Sequence, residues 1–173
     1  VYKTNFYGLK DQQLADNENS RLIKEGIAVN TTAFLDFSDP GKVKTLGNPT
    51  EAALLLWLNG QQANYQELRE NATVIDQLTF STERKYMATL VDSHVTGKKI
   101  LHVKGAPEII FAQCKNALID GELQPIANYK TTVENQLLEY QNQAMRTLGF
   151  AYQVIEDNES HFKDGRLYNT ELT

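Results

Sequence analysis

The chain has 173 residues, which is enough for one domain with a sizeable hydrophobic core. Hydrophobic residues make up 41% of it and charged residues 23%, as in ordinary globular proteins, and the net charge of −5 argues against a basic nucleic-acid-binding surface. The single cysteine excludes an internal disulfide, and no apolar run approaches the roughly 18 residues that are needed to cross a bilayer.

The first part of the chain predicts short elements separated by polar segments. In chain order they are an entering strand at 1–8, a polar loop at 10–20, a helix at 21–29, a strand at 32–37 and a turn at 38–41. Asn19 or Ser20 is the expected N-cap of the helix, because a short polar side chain there accepts a hydrogen bond from the first turn.

A longer helix is predicted after Gly47-Asn48-Pro49-Thr50, with Thr50 as the N-cap and Glu51 in the first turn. Residues 52–58 are apolar on all sides, which indicates a buried helix that ends at Asn59-Gly60. A second helix is predicted over 65–71. Glu51 has two interpretations: a carboxylate that complements the helix dipole, or an acceptor for an exocyclic amine of a ligand.

Phe80 ends a predicted strand at 73–80 and is followed at once by the charged loop 81–85. An aromatic residue in a strand is ordinarily part of the core. Here the ring borders a charged loop instead, which favours an exposed position near a polar site.

Lys104 ends a second strand, in a predicted hairpin formed by residues 85–91 and 100–103. The turn spans 93–98 and contains Gly97, so Lys104 is expected opposite Tyr86 or Met87. A lysine at a strand end is usually solvated. In this hairpin, however, Lys85 and Phe80 lie at the same end as Lys104, and Gly105 allows a tight turn. Two ammonium groups, an aromatic ring and a glycine turn suit a flat ring that carries phosphates.

The last part of the chain predicts two further helices and a strand. The helices cover 108–114, with Pro107 in the first turn, and 130–147, which ends at Gly149 with Arg146 in its last turn. The strand covers 150–155, the segment 116–125 contains a predicted turn at Asp120-Gly121, and 158–173 is expected to be mostly loop. The three histidines predict no metal site, and the chain has no Walker-type phosphate loop. Any phosphates must therefore be held by side chains such as Arg146, Lys85 and Lys104.

Four stretches resemble motifs of the nucleotide-binding domain of P-type cation-transporting ATPases, in the style of the calcium-pump branch. They occur in the order of that family: Gly47-Asn48-Pro49-Thr50-Glu51-Ala52-Ala53-Leu54, Phe80-Ser81-Thr82-Glu83-Arg84-Lys85-Tyr86-Met87, Lys104-Gly105-Ala106-Pro107-Glu108 and Arg146-Thr147-Leu148-Gly149-Phe150-Ala151. Each motif alone is weak, but four in order over most of the chain are a strong signal.

The resemblance implies an α+β fold in two layers, a twisted antiparallel sheet flanked by helices. It also implies that residues 1–173 form a single nucleotide-binding domain, excised from the cytoplasmic part of an integral membrane pump, that binds ATP or ADP. The site residues implied in this way are Glu51, Phe80, Lys85, Lys104, Gly105 and Arg146. Among them, Phe80 stacks on adenine, Glu51 lies in the nucleotide pocket and Arg146 contacts the phosphates.

P-type pumps transfer the γ-phosphate to an aspartate in Asp-Lys-Thr-Gly-Thr, which this chain does not contain. The resemblance therefore implies a domain that binds ATP without hydrolysing it and delivers it to the phosphorylation domain of the full-length chain. Mg²⁺ and the actuator domain enter only in that full-length enzyme, and the fragment itself does not contact the membrane. Two alternatives are an interaction module without nucleotide affinity and a self-sufficient ATP-using enzyme, which would need an acid–base or metal constellation.

Thr82 departs from the family pattern. Calcium pumps often carry an arginine at this position, where it reaches the phosphates, and threonine supplies no charge. Arg84 and Lys85 are the neighbouring cations that could replace it.

Overall fold

The computed structural model describes residues 14–119, 121–156, 160–168 and 170–173. Its helices are α1 (Glu18–Val29), α2 (Pro49–Gly60), α3 (Tyr65–Asn71), α4 (Pro107–Gln113) and α5 (Lys130–Asn142), with a 3-10 turn at Ile126–Tyr129. Its strands are β1 (Phe34–Asp39), β2 (Lys42–Leu46), β3 (Thr73–Leu78), β4 (Tyr86–Asp92), β5 (Lys99–Gly105), β6 (Asn116–Ile119), β7 (Glu122–Pro125), β8 (Gly149–Ile155), β9 (Phe162–Lys163) and β10 (Arg166–Leu167).

The central element is a four-stranded antiparallel sheet in the order β3-β4-β5-β8, which confirms the predicted α+β class. The described residues also form three two-stranded hairpins, β1-β2, β6-β7 and β9-β10. In the β4-β5 hairpin, Met87 pairs with Lys104 and Thr89 pairs with His102, which confirms the predicted register. The turn at Gly97, which has a φ of +65°, sets this register because it fixes where the two strands begin to pair.

The two faces of β5 have different surroundings because side chains alternate along a strand. Leu101 and Val103 face the main core, which also contains Ile110 of α4 and Leu172. Ile100 lies on the opposite face with Val91, and there the sheet packs against α1. His102 and Lys104 share this second face. Lys104 therefore lies on the side of the sheet where α1, α2 and α3 are packed.

Several predicted boundaries are wrong. Helix α1 begins at Glu18, inside the predicted loop, because Asn17 rather than Asn19 or Ser20 is the N-cap: its side-chain oxygen accepts from the Ser20 N–H at 2.9 Å. The cap of α2 is Asn48 rather than Thr50, since the Asn48 side chain accepts from the backbone N–H of Thr50 at 2.9 Å. Pro49 then occupies the first helical position.

Helix α2 is also less buried than its composition predicts. Leu55 and Leu58 are fully buried against α1 and α3, whereas Leu56 is 41% exposed. Strand β2 had no counterpart among the predicted elements, and residues 162–167 form the short β9-β10 hairpin rather than loop. The predicted strand at 1–8 lies outside the described residues.

The predicted helix at 130–147 ends at Asn142, because the chain leaves the helix in a Schellman motif. Ala144 has a left-handed φ of +56°, the Met145 N–H donates to the Tyr140 carbonyl at 3.0 Å, and the Ala144 N–H donates to the Gln141 carbonyl at 2.9 Å. Arg146 is consequently not in the last turn of a helix. It lies in the connection between α5 and β8.

Candidate functional site

A cleft of about 460 Å³ lies at the Gly105 end of β5, next to the first turn of α2. It is bounded by the loop after β3 and by the connection between α5 and β8. Its lining residues include all six of the predicted site residues, Glu51, Phe80, Lys85, Lys104, Gly105 and Arg146, together with Asn48, Thr50, Leu54, Thr82, Ala106, Thr147 and Leu148.

Lys104 and Glu51 form a buried ion pair at the base of this cleft. The Lys104 Nζ atom is 2.9 Å from Glu51 Oε1, and both side chains are more than 90% buried. Nζ has no hydrogen-bond partner besides Glu51 among the described residues. A lysine ammonium carries three N–H donors, so Lys104 keeps donors for a ligand in the cleft.

Glu51 is held from its other side by the segment that connects α1 to β1. Glu51 Oε2 accepts from the Thr31 hydroxyl at 3.1 Å, the Thr32 hydroxyl at 3.0 Å and the Thr32 N–H at 2.8 Å. The carboxylate is therefore fixed at both oxygens, by three donors on Oε2 and by the ammonium on Oε1. Glu51 is therefore a buried, hydrogen-bonded ion-pair partner of Lys104, in addition to being an acidic residue in the first turn of α2.

The environment lowers the pKa of both members of the pair. Burial alone would raise the pKa of Glu51, but the hydrogen bonds from Thr32 and the charge of Lys104 outweigh it, so the pKa lies below its ordinary value. Burial also lowers the pKa of Lys104, and the Glu51 carboxylate offsets this only in part. The amine of Lys104 therefore loses its proton at a lower pH than an exposed lysine.

Gly105 brings the start of β4 against the end of β5. The Ala106 N–H donates to the Lys85 carbonyl at 2.9 Å, and Lys85 itself has a left-handed φ of +60°. This backbone contact holds the exposed Lys85 side chain at the edge of the cleft. A side chain at position 105 would collide with the backbone of Lys85 and Tyr86. Glycine is therefore required here because the two strands approach closely, and not because the residue has a positive φ.

Phe80 also lines the cleft and is 50% exposed. The predicted strand at 73–80 ends at Leu78, so Phe80 lies two residues beyond β3 rather than at its end, in the segment that leads to Lys85. A half-exposed aromatic ring in a cleft that Leu54 also lines offers a surface on which a planar ring can stack.

Arg146 reaches the cleft from the connection after α5, and its Nη1 donates to the Thr50 hydroxyl at 2.9 Å. The Arg84 guanidinium does not compensate for the missing charge at Thr82, because it contacts other groups. Its Nη2 donates to the Thr79 carbonyl, and its guanidinium lies 6.0 Å from the centre of the Tyr86 ring. Arg84 is absent from the lining of the cleft, whereas Lys85 is part of it. Among the cations that line the cleft, Lys85 is therefore the one nearest in sequence to Thr82.

The cleft carries a positive excess although the whole chain is acidic. Three cations and one carboxylate line it, which gives a net charge of +2 against −5 for the chain. Cys114 lies away from this lining and burial raises the pKa of its thiol to about 11, which makes it a poor nucleophile. Within the described residues, no cluster of three or more histidine, cysteine or acidic side chains could hold a metal ion.

Sequence reasoning missed the threonines that hold Glu51 and the role of Asn48 as a cap. Thr31 and Thr32 lie 19 to 20 residues before Glu51, so no local pattern links them to it. The signal for Asn48 was available, because proline favours the first helical position and a capping residue directly precedes that position.

Comparison with known proteins agrees with the motifs. The family model described as P-type ATPase, cytoplasmic domain N, matches residues 18–173. A calcium-transporting ATPase of Dictyostelium discoideum is 35% identical over 144 residues, which are 83% of this chain and 13% of that protein. Calcium-transporting ATPase 1 of Lactococcus lactis is 34% identical over 127 residues, which are 72% of this chain and 14% of that protein.

A third relative, calcium-transporting ATPase 2, plasma membrane-type, of Arabidopsis thaliana, is 33% identical over 141 residues, or 79% of this chain and 14% of that protein. The chain thus spans 13–14% of the length of these relatives. No helix in the described part of the chain is long and apolar enough to span a membrane. The family match, the four ordered motifs and the sheet together establish that this chain belongs to the P-type ATPase cytoplasmic N domains and is similar to those of calcium pumps.

Proposed function

We propose that residues 1–173 form a single nucleotide-binding domain that binds ATP and delivers it to the phosphorylation domain of a P-type calcium-transporting ATPase. One observation carries the proposal: six residues from four separate motifs, Glu51, Phe80, Lys85, Lys104, Gly105 and Arg146, line the same cleft. Chance would not bring an exposed ring, three cations and a buried carboxylate to one opening in an acidic chain.

The two ends of the nucleotide have different partners in this proposal. Phe80 stacks on the adenine, which is worth about 1–3 kcal/mol per base. Glu51 and Lys104 at the base of the cleft hydrogen-bond the edge of the purine. Arg146 and Lys85, at the rim, face the phosphates and supply the charge that Thr82 lacks.

The remaining steps belong to the full-length chain. The 173 residues contain no Asp-Lys-Thr-Gly-Thr, so the domain holds ATP while the phosphorylated aspartate, Mg²⁺ and the actuator domain act elsewhere in the same protein. Transport of calcium and a position on the cytoplasmic side of a membrane are proposed from the similarity to calcium-transporting ATPases and from the match to the cytoplasmic N domain.

Calorimetry with ATP, ADP and GTP, each with and without magnesium, tests the proposal. ATP and ADP are expected to bind within about tenfold of each other, because the γ-phosphate is left free for another domain. No carboxylate cluster lines the cleft, so binding should need little magnesium. A strict magnesium requirement would contradict the proposed site.

The β1-β2 hairpin favours a second candidate, an interaction module without nucleotide affinity. It exposes Phe34 and Leu46, which are paired across the hairpin and are 54% and 56% exposed. This candidate predicts no heat of binding with any nucleotide, so the same titration distinguishes the two functions.

A further inference from the structure

The segment between α1 and β1 contacts the cleft through Glu51, although none of its residues lines the cleft. Thr32 supplies two of the three donors on Glu51 Oε2, through its N–H at 2.8 Å and its hydroxyl at 3.0 Å. Thr32 is itself exposed, so packing does not explain the position of its hydroxyl. The contact is therefore a specific polar one, made from outside the cleft.

The two carboxylate oxygens of Glu51 have different hydrogen-bonding partners. Three donors already occupy Oε2, which leaves it little capacity for another hydrogen bond. Oε1 contacts only the Lys104 ammonium among the described residues, at 2.9 Å, and it is the oxygen with remaining acceptor capacity. Rotation of the carboxylate would exchange these roles, and the hydroxyl of Thr32 opposes that rotation.

We propose that Thr32 is a positioning residue for purine selection: by holding Oε2 of Glu51, it keeps Oε1 available as an acceptor for the 6-amino group of adenine. The inference rests on the proposed function. Guanine carries a 6-oxo acceptor in the same place, which would meet the carboxylate oxygen with no proton between them. The Lys104 ammonium, by contrast, can donate to either purine. Discrimination therefore depends on the orientation of the carboxylate.

The test compares three variants with the wild-type chain. Thr32→Val removes the hydroxyl at nearly constant volume and keeps the backbone N–H donor. Thr32→Ser keeps the hydroxyl and should rescue the effect. Thr45→Val is the matched control, because Thr45 is an exposed threonine on β2 that does not line the cleft.

The measurement is the ratio of ATP to GTP affinity by calorimetry, with both titrations on one preparation so that any unfolded fraction cancels. Thr32→Val is expected to lower this ratio on the order of fivefold to tenfold, since one hydrogen bond to a charged group no longer fixes the acceptor. Thr32→Ser and Thr45→Val should retain the wild-type ratio.

Other outcomes separate the failure of this inference from that of the proposed function. If the wild-type chain binds neither nucleotide, the proposed function fails and the inference with it. If the wild-type chain prefers ATP and Thr32→Val keeps that preference, or loses ATP and GTP affinity equally, only the role of Thr32 is overturned. Equal binding of ATP and GTP by the wild-type chain would overturn purine selection while nucleotide binding stands.

Discussion

Gly105 lies so close to Lys85 that a β-carbon at position 105 would be 2.3 Å from the Lys85 carbonyl oxygen and 2.7 Å from the Tyr86 Cα atom. The obstructing atoms belong to the backbone, so no rotamer change relieves the contact. The end of β5 and the start of β4 can approach in this way only when residue 105 has no side chain.

Gly105→Ala is therefore expected to destabilise the domain by about 1–3 kcal/mol, the usual cost of forcing extra atoms into a packed site. It should also weaken ATP binding, because Lys85 has to move. Chemical denaturation measures the first effect and calorimetry the second. Gly60→Ala is the control, since a β-carbon there meets no atom within 4 Å. A Gly105→Ala domain of unchanged stability would contradict the close approach.

Phe80→Ala should weaken ATP binding by about 1–3 kcal/mol and leave the thermal midpoint nearly unchanged. The ring is 50% exposed, so its removal leaves no large cavity in the core. Phe37→Ala serves as the control, because Phe37 is 48% exposed and does not line the cleft. If the thermal midpoint drops sharply while affinity per folded molecule holds, Phe80 is a core residue and the stacking role is wrong.

ATP should protect Lys104 from amine-acylating reagents more than it protects an exposed lysine such as Lys42. Burial lowers the pKa of Lys104, so its neutral, nucleophilic form appears at a lower pH than that of a lysine in water. The labelling ratio of Lys104 to Lys42 should therefore fall as the pH rises through the ordinary lysine range. Peptide mapping by mass spectrometry measures both effects. Equal labelling of Lys104 with and without ATP would remove it from the site.

Glu51→Gln should destabilise the domain by about 3–5 kcal/mol at neutral pH, because it leaves the Lys104 charge buried without its partner. The pKa of Glu51 is lower in the folded than in the unfolded state, so its contribution is full above the unfolded pKa and is lost as the pH falls through the folded pKa.

The stability difference between wild type and Glu51→Gln should therefore shrink in acid. Denaturation curves recorded across this pH range test the sign, with the exposed Glu122→Gln as the control. A difference that grows as the pH falls would show that the carboxylate is not stabilised by its partners.

The β4-β5 hairpin could be predicted from the sequence because its signals are local. A glycine turn separates two β-branched runs, and this fixes both the Met87–Lys104 pairing and the proximity of Phe80 and Lys85. Four of the predicted site residues lie together in the cleft because they belong to this hairpin or to the loop that enters it.

The incorrect helix end and the missed contacts of Glu51 depend on tertiary geometry that no local sequence pattern indicates. Helix α2 ends at Gly60, as its glycine signal predicts, whereas α5 ends in a Schellman motif whose left-handed residue is not glycine, Ala144 at φ +56°. The glycine signal at Gly149 therefore predicted the end of α5 at the wrong residue. The contacts of Glu51 with Thr31 and Thr32 arise from the packing of α1 against α2, which no local pattern specifies.

The buried pair of Glu51 and Lys104 also limits how this domain can be improved in the laboratory. Well-packed apolar residues in place of a buried ion pair often leave a protein equally stable or more stable. A library selected for thermal stability alone would accordingly favour apolar side chains at positions 51 and 104. Such variants would gain heat resistance by discarding the polar groups at the base of the cleft, so selection has to include a binding step.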